Sequence, residues 1–269
     1  MAIKMEGRAL LAVENLHCGY GKKHEIKIIL GISFSVKENE FVCIIGANGC
    51  GKTTLLKAMM GLLHATAGRV SILGRDISKM RETERAKHFA YIPQAHTPPF
   101  PFTVADVVLM GRTPYINRLA QITDHDRVVA YKSLELLGIC DIADKAYTKL
   151  SGGQQQLVLI ARALTQQSDI LIMDEPTASL DFGNQQLVLS RMKTLARMGK
   201  AVVMVTHDPD HALFCADRVI VMDEGVILED GTTESCITTE MLSRIYNTNA
   251  QVVDVMIEPG RTERVCVPL

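Results

Sequence analysis

Gly46-Ala47-Asn48-Gly49-Cys50-Gly51-Lys52-Thr53 is the stretch that decides how this chain folds. It fits G-x-x-x-x-G-K-[ST], and it stands where that pattern has meaning. The apolar run Phe41 to Ile45 comes directly before it, and Thr54 to Met60, a strong helix former closed by Gly61, comes directly after. Glycines let the loop turn its backbone N–H groups inward around a phosphate, and the helix N-terminus that follows adds about half a positive charge. Strand, glycine loop and helix thus form a nucleotide cradle running from Gly46, Asn48, Gly49, Cys50 and Gly51 to Thr54. Lys52 is placed to reach the β- and γ-phosphates, and the Thr53 hydroxyl to ligate Mg2+.

A nucleotide site also needs carboxylates for a metal and for water. The apolar strand Ile170-Leu171-Ile172-Met173 ends in Asp174-Glu175, which supplies two. Asp174 is placed to hold Mg2+ through water, and Glu175 to polarise the attacking water as general base. Further along, Leu150-Ser151-Gly152-Gly153-Gln154 precedes the apolar-periodic run Leu157 to Leu164. Ser151 therefore falls at an N-cap, and Gly152 and Gly153 leave their amides open, which makes a second helix N-terminus suited to an anion. One chain with two phosphate-seeking helix ends and a single P-loop makes sense if the second end serves a neighbouring chain.

Around these motifs the chain reads as α/β. Ala9 to Leu16, Gly19-Tyr20-Gly21, Ile28 to Val36 and Phe41 to Ile45 read as short strands of an N-terminal sheet, and Arg69 to Leu73 with His88 to Pro93 as a second sheet segment. Pro93, Pro98, Pro99 and Pro101, four of the nine prolines, predict an extended surface loop. Thr103 to about Thr165 has helical periodicity. Strand and helix then alternate through Ile170–Met173, a helix over Gln185–Met198 and the strand Ala201–Thr206, which predicts a parallel sheet covered on both faces. Val252 to Ile257 and Val265 to Val267 flank Glu258-Pro259-Gly260-Arg261 as a terminal hairpin. Residues 8–94 and 166–247 are thus expected to form the nucleotide-binding core, 95–165 a helical insertion and 248–269 a short β extension.

Composition narrows the function. With 269 residues, 47% of them hydrophobic, the chain can bury a full core. Lys and Arg number 29 against 30 Asp and Glu, so it lacks the basic footprint of a protein whose main partner is nucleic acid. Seven cysteines without a C-x-x-C pair point to free thiols in a reducing compartment. The start from Met1 to Glu6 shows no apolar core of signal-peptide length, and no run suits a membrane span, so a membrane role is expected to come through a partner. His207-Asp208-Pro209-Asp210-His211 has i, i+4 histidines, but Pro209 argues against one continuous helical face. Lys22-Lys23-His24 reads as a solvated loop, and Cys50, set in an electropositive nest, is expected to have a lowered thiol pKa.

Taken in order, these motifs resemble the nucleotide-binding subunit of ATP-binding cassette (ABC) transporters, over roughly Leu10 to Tyr246. The resemblance implies a P-loop NTPase core with an N-terminal antiparallel β subdomain and an inserted helical subdomain, hydrolysing ATP with Mg2+. It implies that Tyr20 stacks on adenine, that Gln94 in Tyr91-Ile92-Pro93-Gln94 links the metal site to the membrane subunit, and that Leu150 to Gln154 is the signature. It also implies that Ser179-Leu180-Asp181 contacts the opposite subunit and that His207 is the switch histidine. Two chains would then meet head to tail, each ATP lying between one P-loop and the other chain's Ser151 and Gly153. Gln155 and Leu157 replace the family's usual basic residues after the signature.

Phe102-Thr103-Val104-Ala105-Asp106-Val107-Val108-Leu109-Met110-Gly111-Arg112 is similar to a stretch in the ATPases of bacterial importers for iron chelates, haem and cobalamin, and of a related molybdate importer. That similarity implies permease subunits docking near Pro98–Arg112, a solute-binding protein as an indirect partner, and a peripheral position at the cytoplasmic face of the inner membrane. A molybdate or tungstate importer is the alternative. A soluble ABC ATPase without a transporter is the more distant one, since the long coiled-coil insertions and paired cassettes of such relatives are absent.

Overall fold

A computed structural model describes residues 9–21, 25–94, 102–116, 121–178, 180–258 and 260–269. The readings for Met1–Glu6, Lys22–His24, the prolines at 98, 99 and 101, and Ser179 fall outside these residues. In chain order the elements begin with β1 (Ala9–Tyr20), β2 (Ile26–Lys37), β3 (Phe41–Ile45), α1 (Lys52–Met59), β4 (Ala67–Ile72) and β5 (Arg75–Asp76). Next come α2 (Glu82–His88), β6 (Phe89–Ile92), α3 (Val104–Leu109), α4 (Asp124–Leu137), α5 (Gly152–Thr165), β7 (Ile170–Asp174) and α6 (Phe182–Arg197). The chain ends with β8 (Ala201–Val205), α7 (Pro209–Cys215), β9 (Arg218–Asp223), β10 (Val226–Gly231), α8 (Thr233–Cys236), α9 (Thr239–Tyr246), β11 (Ala250–Glu258) and β12 (Arg261–Pro268).

The chain divides into two compact units, one of residues up to Lys79 with Leu195–Leu269, the other of Met80–Thr194. In the first, β3 lies parallel between β8 and β9, and β10 closes that edge antiparallel to β9. Every residue of β3 and β8 is buried, as a strand covered on both faces requires. A separate antiparallel sheet has the order β2-β1-β4-β5. Here the structure corrects the sequence reading twice. The runs at 9–16 and 19–21 are one strand, whose register slips at irregularities instead of breaking, and Phe41–Ile45 pairs with β8 and β9 instead of joining the N-terminal sheet. Gly68, at φ +77° near the start of β4, admits no side chain, since a Cβ there would lie 2.0 Å from the Asn15 carbonyl oxygen. The β11–β12 hairpin forms as read, paired from Ala250↔Pro268 to Glu258↔Arg261.

In the second unit β6 and β7 run parallel, and α3, α4 and α5 pack together. The segments at 69–73 and 88–93 therefore do not make one sheet segment: β4 pairs with β1, and β6 with β7. Thr103 and Thr123 cap α3 and α4 through reciprocal bonds with Asp106 and Asp126, which satisfy amides that a helix start leaves open. Val104, Val107 and Val108 point from α3 into the core. Arg112, expected on the docking surface, is instead buried at 5% exposure. Its Nε donates to Asp126 Oδ1 at 2.8 Å, and its Nη1 to the Thr165 carbonyl and Gln167 Oε1 at 3.1 and 2.9 Å. Its guanidinium also lies 4.1 Å from the Tyr115 ring centroid. Among the described residues no helix is long and apolar enough to cross a membrane.

Candidate nucleotide site

The phosphate loop leaves β3 and enters α1 at Lys52, two residues before the apolar pattern begins, because Gly51 at φ +107° turns the backbone into the helix. Lys52 and Thr53 therefore sit in the first turn, next to the helix's unsatisfied N–H groups. Lys52 is 6% exposed, and its Nζ donates to the carbonyls of Gly46 at 2.7 Å and Ala47 at 2.9 Å, so its charge lies inside the loop. Gly46 has no alternative: a Cβ there would stand 2.2 Å from the Met222 carbonyl oxygen and 2.9 Å from Cys50 Sγ. The Cys50 thiol is buried, and its pKa is raised, not lowered as the loop's charge had suggested. Burial outweighs the attraction of Lys52 and the bonds from backbone N–H groups. Tyr20 at the end of β1 is 40% exposed, and its hydroxyl lies 3.4 Å from Thr54 Oγ1, so β1 brings its ring to the first turn of α1. His207 follows β8, on an exposed turn held by its neighbours. Asp208 N–H donates to Thr206 Oγ1, Asp208 caps α7, and His211 reaches both Asp208 Oδ2 and Thr206 Oγ1 at 3.3 Å. His211 is thus committed to that turn, and burial lowers its pKa.

The carboxylates belong to the second unit. β7 delivers Asp174, 7% exposed, and the Tyr91 hydroxyl on the adjacent β6 donates to its Oδ2 at 3.3 Å. Burial and then the Asp174 charge push that phenol up to about 12, so it stays a donor at neutral pH. Glu175 has φ +48°, an unusual backbone for a residue with a side chain, and Gln94 Nε2 donates to its Oε2 at 3.1 Å. Gln94 and Glu175, 81 residues apart, are thus brought together. Ser151 caps α5 with the reciprocal bond from Gln154, so Gln154 orients the turn through its side chain. Asp181 sits ahead of α6, its carboxylate accepting from Asn184.

Each unit thus carries a share of the chemistry: Tyr20, the loop from Gly46 to Thr54 and His207 in one; Gln94, Ser151–Gln154, Asp174, Glu175 and Asp181 in the other. The Thr53 hydroxyl, the Gln94 amide oxygen and the Asp174 carboxylate are hard oxygen donors, the kind Mg2+ takes, with no thiolate or imidazole among them. Tyr91 and Asn184 escaped the sequence reading. Tyr91 alone left a signal, since it stands on the strand that leads into Gln94.

Residues 29–178 match the ABC transporter family. An uncharacterized ABC transporter ATP-binding protein of Haemophilus influenzae is 41% identical over 91% of this chain and 92% of its own length. A hemin import ATP-binding protein of Nocardia farcinica is 38% identical over 85% and 78%, and an iron(3+)-hydroxamate import ATP-binding protein of Bacillus subtilis 33% over 96% and 94%. Among solved structures, a metal-chelate type ABC transporter in an inward-facing conformation superposes with a TM-score of 0.85 at 30% identity, covering 97% of this chain and 98% of that one. The chain belongs to the ABC transporter family, among its ATP-binding subunits.

Proposed function

We propose that this chain is the ATP-hydrolysing subunit that powers an importer of an iron chelate, haem or cobalamin. The observation that carries this reading is the end-to-end similarity to import ATP-binding proteins, which for the iron-hydroxamate relative reaches 96% of the chain. In this reading Lys52 and His207 offset charge on the γ-phosphate, Tyr20 stacks on the adenine, and Glu175, oriented by Gln94, draws the proton of the attacking water. Thr53, Asp174 and Gln94 would hold Mg2+, which when bound neutralises charge on the phosphate oxygens. Phosphoryl transfer asks for little covalent chemistry, so positioning dominates. Two chains meet head to tail, each presenting the Ser151–Gly153 amides to the nucleotide of the other. Asp181 meets the opposite chain. The chain lies at the cytoplasmic face of the membrane, held by permease subunits that dock on the segment before Arg112.

The test is to express tagged Glu175→Gln in the native cell, extract membranes in mild detergent with ATP and Mg2+, and identify what copurifies. A polytopic membrane protein at about one chain per ATPase subunit supports the reading. ATPase stimulation of the wild-type assembly by a binding protein loaded with an iron chelate, haem or cobalamin then assigns the substrate. Stimulation by a molybdate-loaded protein instead would transfer the assignment. Recovery only from the soluble fraction, bound to ribosomes or DNA, would refute it.

A further inference from the structure

One side chain joins the start of α6 to the first turn of the signature helix α5. Asn184 donates its backbone N–H to Asp181 Oδ1 at 2.9 Å and its Nδ2 to Asp181 Oδ2 at 2.8 Å, so a single residue engages both carboxylate oxygens. These two bonds, the backbone one first, hold the Asp181 carboxyl below the usual carboxylate range although it faces solvent. The same amide fills the space beside Gly153. A Cβ at position 153 would come within 2.6 Å of Asn184 Cγ and Nδ2 and 3.1 Å of Oδ1. Such approaches are not tolerated, so a methyl group at 153 must push the amide aside and break its bond to Asp181. Glycine at 153 therefore leaves the room in which the Asn184 amide holds Asp181.

We propose that Asn184 is a positioning residue that ties Gly153 to Asp181, so that the signature turn and the Asp181 carboxylate present themselves to a second chain as one rigid piece. Rigidity matters because both groups would meet the opposite chain across the same nucleotide, and a pre-set pair loses less freedom on docking. The inference rests on the head-to-tail dimer proposed above.

The experiment uses the full chain in a Glu175→Gln background. Two quantities are followed: the ATP concentration at which half the chains dimerise, by analytical ultracentrifugation, and the affinity of the dilute single chain for ATP. Asn184→Ala is expected to raise the first about tenfold, the loss of one hydrogen bond to a charged group, and to change the second less than about twofold. Gly153→Ala should impair dimerisation at least as much. The double variant should be no worse than the poorer single, because both act through one contact. Asn184→Asp keeps the shape but sets carboxylate against carboxylate, and should behave like Asn184→Ala. Unchanged dimerisation in Asn184→Ala, losses that multiply in the double variant, or wild-type behaviour of Asn184→Asp would each overturn the proposal. If Glu175→Gln stays monomeric at saturating ATP, the dimer reading fails on its own. Thermal melts of the single chains then still test the Gly153–Asn184 contact, and additive losses there would overturn that contact too.

Discussion

Replacing Arg112 with Ala removes a buried charge that makes three hydrogen bonds in the second unit. Arg112 donates to Asp126, to the Thr165 carbonyl and to Gln167, and both side chains of the ion pair are more than nine-tenths buried. Breaking a buried pair by deleting one partner costs roughly 3–5 kcal/mol, because the other charge stays buried without it. Asp126 keeps two donors from Thr123, the N–H at 3.0 Å and the hydroxyl at 2.6 Å, so the lower end applies. We therefore expect a loss of about 3 kcal/mol, or about 12 °C in Tm for the unit Met80–Thr194. The protein has no Trp, so the assay is far-UV circular dichroism in a urea titration, with the midpoint shifting at unchanged slope. The pH dependence has a defined sign. Bonds from the Thr123 side chain and then from Arg112 pull Asp126 down to about 2, below its unfolded value, so its contribution is complete above about pH 4 and fades as pH falls toward 2. The gap between wild type and variant should therefore be constant from about pH 5 to 8. A loss under about 1 kcal/mol, or a gap that opens only in acid, would refute the account of this buried pair.

Other outcomes follow from single contacts. Because burial raises the Cys50 thiol above its ordinary value, little of it is thiolate at pH 7, and iodoacetamide should label it more slowly than a small free thiol. Labelling as fast as a free thiol at pH 7 would sink that reading. Tyr91→Phe removes the donor to Asp174, so the Mg2+ concentration for half-maximal hydrolysis should rise about tenfold, with metal-free ATP binding unchanged. An unchanged Mg2+ requirement would leave Tyr91 a packing residue only. Tyr20→Ala should weaken ATP binding by about tenfold, the scale of one lost base–aromatic stack, as equilibrium titration with ATP would show. Glu175→Gln should keep ATP binding and lower turnover by about a hundredfold or more, measured as phosphate release.

Much of the site was legible because its parts are local in sequence. The phosphate loop, the Ser151 cap and the Asp174-Glu175 strand end each depend on residues within a few positions of one another, where glycine conformation, capping and strand burial act directly. Such rules failed at Cys50. The neighbouring charge suggested a reactive thiol, but its pKa is governed by how completely the thiol is enclosed. Arg112 misled in the same way: exposed in a linear reading, it is buried by partners up to 55 residues away.

The amino-acid sequence alone determined the order of the motifs, the strand–loop–helix that makes the anion cradle, the second helix N-terminus at Ser151 and the terminal hairpin. Each rests on backbone geometry that short stretches dictate. Tertiary structure alone decided that Phe41–Ile45 joins the parallel sheet, that Gln94 meets Glu175, that Tyr91 holds Asp174, and that Asn184 stands between Gly153 and Asp181. These are contacts between segments about 30 to 160 residues apart or held in place by them. No local preference encodes such contacts, because their free energy comes from desolvation and close packing that exist only once the chain has closed on itself.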